Sequence, residues 1–181
     1  MGRHTFLDQA LLYLFSYNVE ADMDVDNIGL RTDGLRVNVR CIPNSGRVYN
    51  VLGERMVGAL GVSVVTGQIT EGGDRALVRE DDVTVSDVSA TIETDDGALI
   101  DATYPGVCYL GQGGFLGFVS DKDRYGKLLD PFVLPVVVTP RFETASEKYR
   151  WIRELQCVGF GRLSIVKNVL RAITYDIYAM T

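Results

Sequence analysis

The chain has 181 residues, of which 46% are hydrophobic and 23% charged, and its formal net charge is −6. A chain of this length and composition buries enough apolar surface to fold as a globular domain, which excludes a disordered protein. The acidic balance and the lack of a basic run argue against a nucleic-acid partner, because phosphates attract a positively charged surface. The longest apolar stretches, such as Phe132 to Val138, are far shorter than the ~20 residues that span a bilayer, so we expect no membrane insertion.

The cysteines are widely spaced and lie among apolar residues, at Cys41, Cys108 and Cys157. This spacing favours three reduced thiols rather than a disulfide framework, and therefore a cytoplasmic protein. No signal peptide is expected, since the apolar run of residues 10–15 is short and no small-residue cleavage site follows it. We interpret residues 1–10 as an N-terminal tail and residues 11–181 as a single domain.

In the first half of the chain the pattern is one of short strands and turns. Leu11 to Ala21 is predicted to be an ordered element whose type the pattern leaves open: a helical turn that continues as a strand is consistent with it. Apolar and polar residues alternate from Leu35 to Ile42, which predicts a half-buried strand, and a second strand follows around residues 47–51. Gly58 to Thr66 is a β-branched run typical of a strand, and Glu71 to Asp74 is predicted to be a turn.

Val83 to Thr94 is predicted to be a strand with a bulge near Asp87, because its apolar phase changes there. The segment Thr94-Asp95-Asp96-Gly97 has the residues of a hairpin turn, and turn chemistry explains its two carboxylates. From Gly106 to Asp130 the sequence is glycine-rich and then polar, which indicates a loop.

Later strands are predicted at Phe132 to Val138, Leu155 to Leu163 and Ala172 to Met180, with a helical turn at Ser146 to Arg153. Pro135 indicates an edge or a bulge in the first of them. About ten short strands separated by turns are typical of a mainly antiparallel, closed or nearly closed β-barrel. The predicted fold class is therefore all-β, a single barrel with one short helical turn.

Several common chemistries are absent from the sequence. His4 is the single histidine and lies in the tail, so a Ser–His–Asp or Cys–His centre and a zinc site are not expected. The glycines of Gly111 to Gly117 miss the GxGxxG spacing by one position and lack a βαβ context. We therefore expect no cofactor and no metal.

Arg141 and Glu143 are two residues apart on a predicted strand and so share one face. We predict that both face the barrel interior with Tyr149 or Trp151 and form the polar end of an apolar cavity. The alternative is a surface ion pair. Tyrosines on other strands could add proton-donating phenols to the cavity. The candidate catalytic residues are Arg141, Glu143, Tyr104 and Tyr149, and the candidate substrate-binding residues are Trp151, Tyr49, Phe132, Phe115 and Tyr175.

Five segments together resemble domain-of-unknown-function family 3237, a family of bacterial and fungal proteins. They are residues 94–100, 139–144, 149–151, 158–162 and 175–178, and Gly72-Gly73-Asp74 resembles the family's Gly-Gly-Ala-Asp turn. The resemblance extends from Leu11 to Met180 and implies a compact antiparallel β-barrel that is often a homodimer. Ser89 and Val137 stand where the family usually has arginines, and the family's tryptophan after the turn is unmatched. These departures lead us to expect a less basic cavity and a more neutral ligand.

Two functions are consistent with these features. The first is a cofactor-independent enzyme that steers cyclisation, isomerisation or elimination of a small hydrophobic, polyketide- or terpenoid-like metabolite, with preorganisation by cavity shape and proton transfer by tyrosine or carboxylate. The second is a non-catalytic barrel that binds or carries a small hydrophobic molecule.

Overall fold

The computed structural model describes residues 11–20, 26–51, 61–81, 83–109, 132–166 and 169–180. These residues form eleven β-strands and one 3₁₀ helix, Arg150–Glu154. The strands are β1 Leu11–Glu20, β2 Asp26–Arg31, β3 Gly34–Arg40, β4 Gly46–Tyr49, β5 Gly67–Val78, β6 Val83–Thr94, β7 Leu99–Tyr109, β8 Phe132–Val138, β9 Arg141–Glu143, β10 Cys157–Val166 and β11 Val169–Met180. No helix among the described residues has the length and apolar character needed to cross a membrane.

Eight antiparallel strands close into a barrel, in the order β5, β4, β1, β11, β10, β8, β7, β6 and back to β5. Strand β5 is long enough to have two neighbours on one edge: Gly67 to Ile69 pairs with β4, and Gly73 to Val78 pairs with β3. The β2–β3 hairpin therefore extends the wall beside the second half of β5, and β9 pairs with β7. The predicted antiparallel barrel is confirmed.

One end of the barrel is filled by apolar side chains. Phe15 and Phe142 meet edge to face with ring centroids 5.5 Å apart, and Ile100 and Ile177 are fully buried beside them in the same core. The 3₁₀ helix packs against β9 and adds Ile152 to this core. We call this the closed end of the barrel.

The β6–β7 turn lies at the closed end. Gly97 has φ +83°, a conformation that glycine adopts without a steric cost. The Thr94 backbone amide donates to the Ala98 carbonyl at 2.8 Å, and the Ala98 amide donates to the Thr94 hydroxyl at 2.9 Å. The predicted Asp-Gly hairpin is confirmed.

Asp96 ties this turn to the segment before the 3₁₀ helix. Its carboxylate accepts hydrogen bonds from the Thr94 hydroxyl at 2.6 Å, from the Tyr149 hydroxyl at 2.9 Å and from the Lys148 ammonium at 2.6 Å. The bond from Lys148, followed by those from Thr94 and Tyr149, holds the pKa of Asp96 well below its usual range. Asp96 is thus a structural anchor of the closed end.

Several sequence predictions need correction. Leu11–Glu20 is a strand throughout, without a helical start, and β2 was not predicted. Residues 61–66 are not a strand, while residues 58–60 lie outside the described part. Glu71 to Asp74 is not a turn but the middle of β5, where the register with β6 shifts between Ile69 and Glu71.

The bulge predicted near Asp87 is also wrong. The alternation of β6 is regular from Thr84 to Thr94, and its pairing with β7 has no shift. The apolar phase changes in the sequence because the inward positions at the start of β6 are the polar residues Thr84 and Ser86, while Val83 and Val85 face outward.

We predict that Asp96→Asn lowers the melting temperature at pH 7, whereas Asp95→Asn has a smaller effect. Among the described residues, the Asp95 carboxylate pairs with Arg47, at 3.7 Å between two exposed side chains. Because the folded-state pKa of Asp96 is below its unfolded value of about 3.9, its stabilisation is present above about pH 4 and is lost as pH falls through the folded pKa. The difference between wild type and Asp96→Asn should therefore shrink in acid, as measured by thermal melts from pH 7 to pH 2. Equal melting temperatures for Asp96→Asn and wild type at pH 7 would contradict the role of Asp96 as an anchor of the closed end.

Candidate functional site

Three tyrosines form a layer across the middle of the barrel. Tyr17, Tyr104 and Tyr175 point inward from β1, β7 and β11 and are 2%, 3% and 3% exposed. The Tyr17 hydroxyl donates to the Tyr104 hydroxyl at 2.6 Å, and the Tyr175 ring lies 5.1 Å from that of Tyr17 and 5.7 Å from that of Tyr104. Burial raises the pKa of all three phenols, and the charge of a neighbouring phenolate would raise each of them further, while the hydrogen bond to Tyr104 opposes this effect at Tyr17. The layer therefore consists of neutral phenols.

A glycine on the neighbouring strand makes room for this layer. Gly161 of β10 is paired with Tyr175 of β11, and a Cβ atom at Gly161 would collide with the Tyr175 ring. The absence of a side chain lets the ring lie over the strand backbone. The position of Tyr175 thus depends on Gly161.

Beyond the tyrosine layer, away from the closed end, lies a cavity of about 60 Å³. One water molecule fills a sphere of about 10–15 Å³, so the space admits a few waters or a small organic group. It is lined by Val39, Asp74, Ala76, Thr84, Ser86, Cys108, Val136, Leu163, Ile173 and Tyr175. We call it the Asp74 cavity; its wall is mostly apolar with a few polar groups, as in small-molecule sites.

Asp74 supplies the carboxyl group of this cavity. Its Oδ1 accepts a hydrogen bond from the Asp87 backbone amide at 2.8 Å. Burial raises the pKa of Asp74; the hydrogen bonds from the Ser86 hydroxyl and the Asp87 amide oppose this effect, and the Asp87 charge adds to it. A carboxyl whose pKa is raised by desolvation in a cavity wall is a common feature of functional sites.

The Asp74 carboxyl sits beside an interruption in the barrel wall. Strands β5 and β6 pair at Asp74–Val88 and again at Leu77–Val85 in the same register, but the two residue pairs between them do not form the ladder. The Asp87 amide bonds to the Asp74 side chain, and Arg75 forms an ion pair with Asp87 at 3.0 Å. These side-chain contacts hold the strands together where the ladder is interrupted.

Thr84 and Ser86 stand on the β6 side of the cavity. Their residues are 6% and 7% exposed, and the Thr84 hydroxyl has no hydrogen-bond partner among the described residues. The polar part of the cavity thus combines one carboxyl, two aliphatic hydroxyls and the Tyr175 phenol. The described residues bring together no cluster of three potential metal-ligating side chains.

Arg141 and Glu143 do not point into the barrel, so that prediction is wrong. Both are exposed, and Phe142 between them is the buried residue of β9. Glu143 forms an ion pair with Arg153 at 3.0 Å, with side chains 67% and 45% exposed. The two-residue spacing did place Arg141 and Glu143 on one face, but the apolar residue between them takes the inward position.

The other candidates are distributed over the molecule. Tyr104 and Tyr175 belong to the tyrosine layer, and Tyr175 also lines the cavity. Tyr149 is buried at the closed end, bonded to Asp96, and Trp151 is a partly buried residue of the 3₁₀ helix packed on the same core. Tyr49 is on the outer face of β4, paired with Ser16 of β1. Phe115 and the side chain of Phe132 lie outside the described residues.

Sequence reasoning missed Asp74, Tyr17, Thr84 and Ser86. Asp74 was interpreted as part of a turn, because two glycines before an aspartate are the usual composition of one. The phase change in Val83 to Thr94 was the available signal for Thr84 and Ser86. When a strand alternates regularly and its inward residues change from polar to apolar, the polar half of the strand contributes a polar patch to the barrel interior.

The expectation drawn from Ser89 and Val137, the two departures from the family pattern, also needs correction. Ser89 is exposed on the outer face of β6, and Val137 is exposed on the outer face of β8. Neither contacts the Asp74 cavity, so the less basic cavity cannot be inferred from them.

We predict that Tyr104→Phe lowers the free energy of unfolding more than the double variant Tyr17→Phe/Tyr104→Phe does. The single change leaves the buried Tyr17 hydroxyl without its acceptor, which costs about 1–3 kcal/mol, whereas removal of both hydroxyls leaves no unsatisfied donor. Urea denaturation of the wild type, Tyr17→Phe, Tyr104→Phe and the double variant measures the free energy of interaction between the two hydroxyls. Additive losses would show that the two hydroxyls do not interact.

The fold and the site define a class: antiparallel β-barrel proteins with an interior cavity whose wall contains a half-buried carboxyl group. A family described as protein of unknown function, DUF3237, matches residues 10–180, and the chain belongs to this family. The UPF0311 protein blr7842 of Bradyrhizobium diazoefficiens is 29% identical over 109 residues, which cover 60% of this chain and 65% of that protein.

Solved structures show the same fold. The conserved protein of unknown function RPA1785 from Rhodopseudomonas palustris has a TM-score of 0.72 at 22% identity, covering 96% of this chain and 98% of that one. A crystal structure described as an enzyme from Penicillium herquei has a TM-score of 0.57 at 17% identity, covering 98% of each chain.

Proposed function

We propose that this protein is a cofactor-independent enzyme that transfers a proton within a small, hydrophobic substrate held in the Asp74 cavity. The observation that supports this most is the Asp74 carboxyl, whose pKa is raised by burial in a largely apolar wall. A carboxyl with a raised pKa is both a better base than an ordinary aspartate and a usable acid nearer to neutral pH.

The proposed chemistry needs no external reactant. The Asp74 carboxylate takes a proton from a carbon next to a carbonyl group, and the electron pair of the broken C–H bond forms an enolate. The resulting carboxylic acid returns the proton to another carbon atom, which completes an isomerisation. In a cyclisation the enolate carbon attacks a second carbonyl group of the same molecule, the C=O π bond breaks, and the oxygen takes the proton from Asp74. In an elimination the enolate electron pair forms a C=C bond, the bond to the leaving group breaks, and the leaving group takes the proton from Asp74.

The neutral phenols are suited to the developing charge. Tyr175 lines the cavity, and the ring of Tyr104 contacts the ring of Tyr175. Donors that are preorganised in a poorly hydrated site stabilise an enolate oxygen more strongly than water does. Because Tyr17 donates to Tyr104, the Tyr104 hydroxyl keeps its own hydrogen for another acceptor.

The compact apolar lining suits a ring of a polyketide- or terpenoid-like metabolite. The Penicillium herquei protein described as an enzyme supports the view that this barrel fold can host catalysis, as an analogy between folds. The substrate class is therefore inferred from the residues that line the cavity.

A binding or carrier protein is the second candidate. It is favoured by the bond between Asp74 Oδ1 and the Asp87 amide, which supports the barrel wall without any chemistry. In that case Asp74 stabilises the fold, and the cavity serves only to enclose a ligand.

Isomerisation of 3-cyclohexen-1-one to 2-cyclohexen-1-one tests the proposal, since it needs only a base and an acid at one site. We predict that the wild type accelerates this reaction over buffer and that Asp74→Asn reduces the acceleration by about 10²–10⁴-fold, the usual contribution of a positioned proton-transfer group. The asparagine keeps an oxygen for the Asp87 amide, so the wall should remain intact. Ultraviolet absorbance of the conjugated product measures the rate.

Asp101→Asn is the matched control, because Asp101 is an exposed carboxylate on the outer face of β7. It should leave the rate unchanged. The wild-type rate should rise with pH through a pKa above about 3.9, the ordinary value for aspartate, as Asp74 loses its proton. Binding of the ketone without acceleration by the wild type would favour the carrier function instead.

A further inference from the structure

The Thr84 hydroxyl is an unsatisfied polar group in the cavity wall. Thr84 is 6% exposed, and its Oγ1 has no hydrogen-bond partner in the part of the chain that the structure describes. Valine has the same shape as threonine and would fill this inward position of β6 without a polar atom. Buried polar groups in proteins are almost always hydrogen-bonded, so an orphaned hydroxyl that faces a cavity indicates a partner inside that cavity.

The surroundings of Thr84 restrict what this partner can be. Ser86 is two residues along the same strand and also faces the cavity, and Asp74 is on the neighbouring strand β5. The opposite wall consists of apolar groups such as Val136, Leu163 and Ile173. A ligand must therefore present an oxygen to β6 and a compact apolar frame to β8, β10 and β11.

The charges of the lining favour an uncharged ligand. The described lining residues include no lysine or arginine, so an anionic group would meet the Asp74 carboxyl without a countercharge. A cationic group could pair with Asp74, but Thr84 and Ser86 contribute hydroxyls rather than a second carboxylate, and ionic ligands lose their hydration in such a site. Hydroxyl groups match a neutral carbonyl or alcohol oxygen, to which they can donate.

We infer that Thr84 is a ligand-binding residue whose hydroxyl holds the carbonyl or hydroxyl oxygen of an uncharged alicyclic or aromatic ligand in the Asp74 cavity. This inference rests on the cavity of the proposed function and adds the ligand class and the residue that recognises its oxygen. Thr84 acts in binding, while Asp74 acts in proton transfer.

Three variants test the role of Thr84. Thr84→Val removes the hydroxyl and keeps the shape, Thr84→Ser keeps the hydroxyl, and Thr103→Val removes an exposed hydroxyl on the outer face of β7. Binding of 3-cyclohexen-1-one is measured by titration into ¹⁵N-labelled protein. We expect Thr84→Val to weaken binding by about 2- to 10-fold, as for the loss of one neutral hydrogen bond, and the other two variants to bind like the wild type.

Stability separates a binding role from a structural one. Since the hydroxyl has no partner in the described protein, Thr84→Val should melt at the same temperature as the wild type or at a higher one. A lower melting temperature would show that the hydroxyl stabilises the fold, and unchanged ketone binding would show that it does not contact the ligand. Either result would overturn the inference.

Charged analogues of the probe test the ligand class. Cyclohexanecarboxylate and cyclohexylamine should bind more weakly than the ketone, and tighter binding of either one would refute an uncharged ligand. Failure of the proposed function gives a different result. Ketone binding that depends on Thr84 but is not followed by isomerisation supports the inference about Thr84 and contradicts the enzymatic function. Absence of binding by all three probes would overturn the inference.

Discussion

The barrel depends on the closure between β5 and β6, and this closure is interrupted beside the inward carboxyl group of Asp74. Where the backbone ladder skips two residue pairs, the Asp87 amide bonds to Asp74 instead. The carboxyl oxygen thus supplies an acceptor for the Asp87 amide at the point where the ladder between the two strands is missing. The same contact, together with the hydrogen bond from the Ser86 hydroxyl, fixes the carboxyl at the edge of the cavity. Asp74 thus both supports the barrel wall and supplies the carboxyl group of the cavity.

The tyrosine layer divides the barrel interior into two parts with different physical properties. On one side, Phe15, Phe142 and Ile177 fill the closed end, and the hydrogen bonds of Asp96 fix the turn and the 3₁₀ helix around it. On the other side, hydroxyl groups and the carboxyl of Asp74 face an incompletely filled space. Apolar packing at the closed end provides the stability that allows polar groups to remain inside the cavity end.

The fold could be predicted from the sequence because strand periodicity and turn residues are local signals. The Asp-Asp-Gly turn and the alternation of Leu35 to Ile42 were correctly interpreted on that basis. The candidate site was predicted poorly, since its location depends on which face of each strand turns inward. For Arg141 and Glu143 the spacing could not determine that face, and the neighbouring Phe142 decided it by its greater gain from burial. For Asp74, the glycines that suggested a turn are instead accommodated within a long strand close to the β3 and β6 backbones, where a Cβ atom would meet carbonyl oxygens of Val39 and Ser89.

The segments that carry the family resemblance divide between the two parts of the barrel. Residues 94–100, 139–144 and 149–151 belong to the closed end, where Asp96, Phe142 and Tyr149 hold the fold together. The cavity receives Asp74 from the Gly-Gly-Asp segment and Tyr175 from the last one. Most of the resemblance therefore concerns barrel closure and packing, which explains why it implies a fold more firmly than an activity. Thr84 and Ser86 lie in none of these segments, so the residues that carry the resemblance do not include the hydroxyl to which we assign recognition of the ligand oxygen.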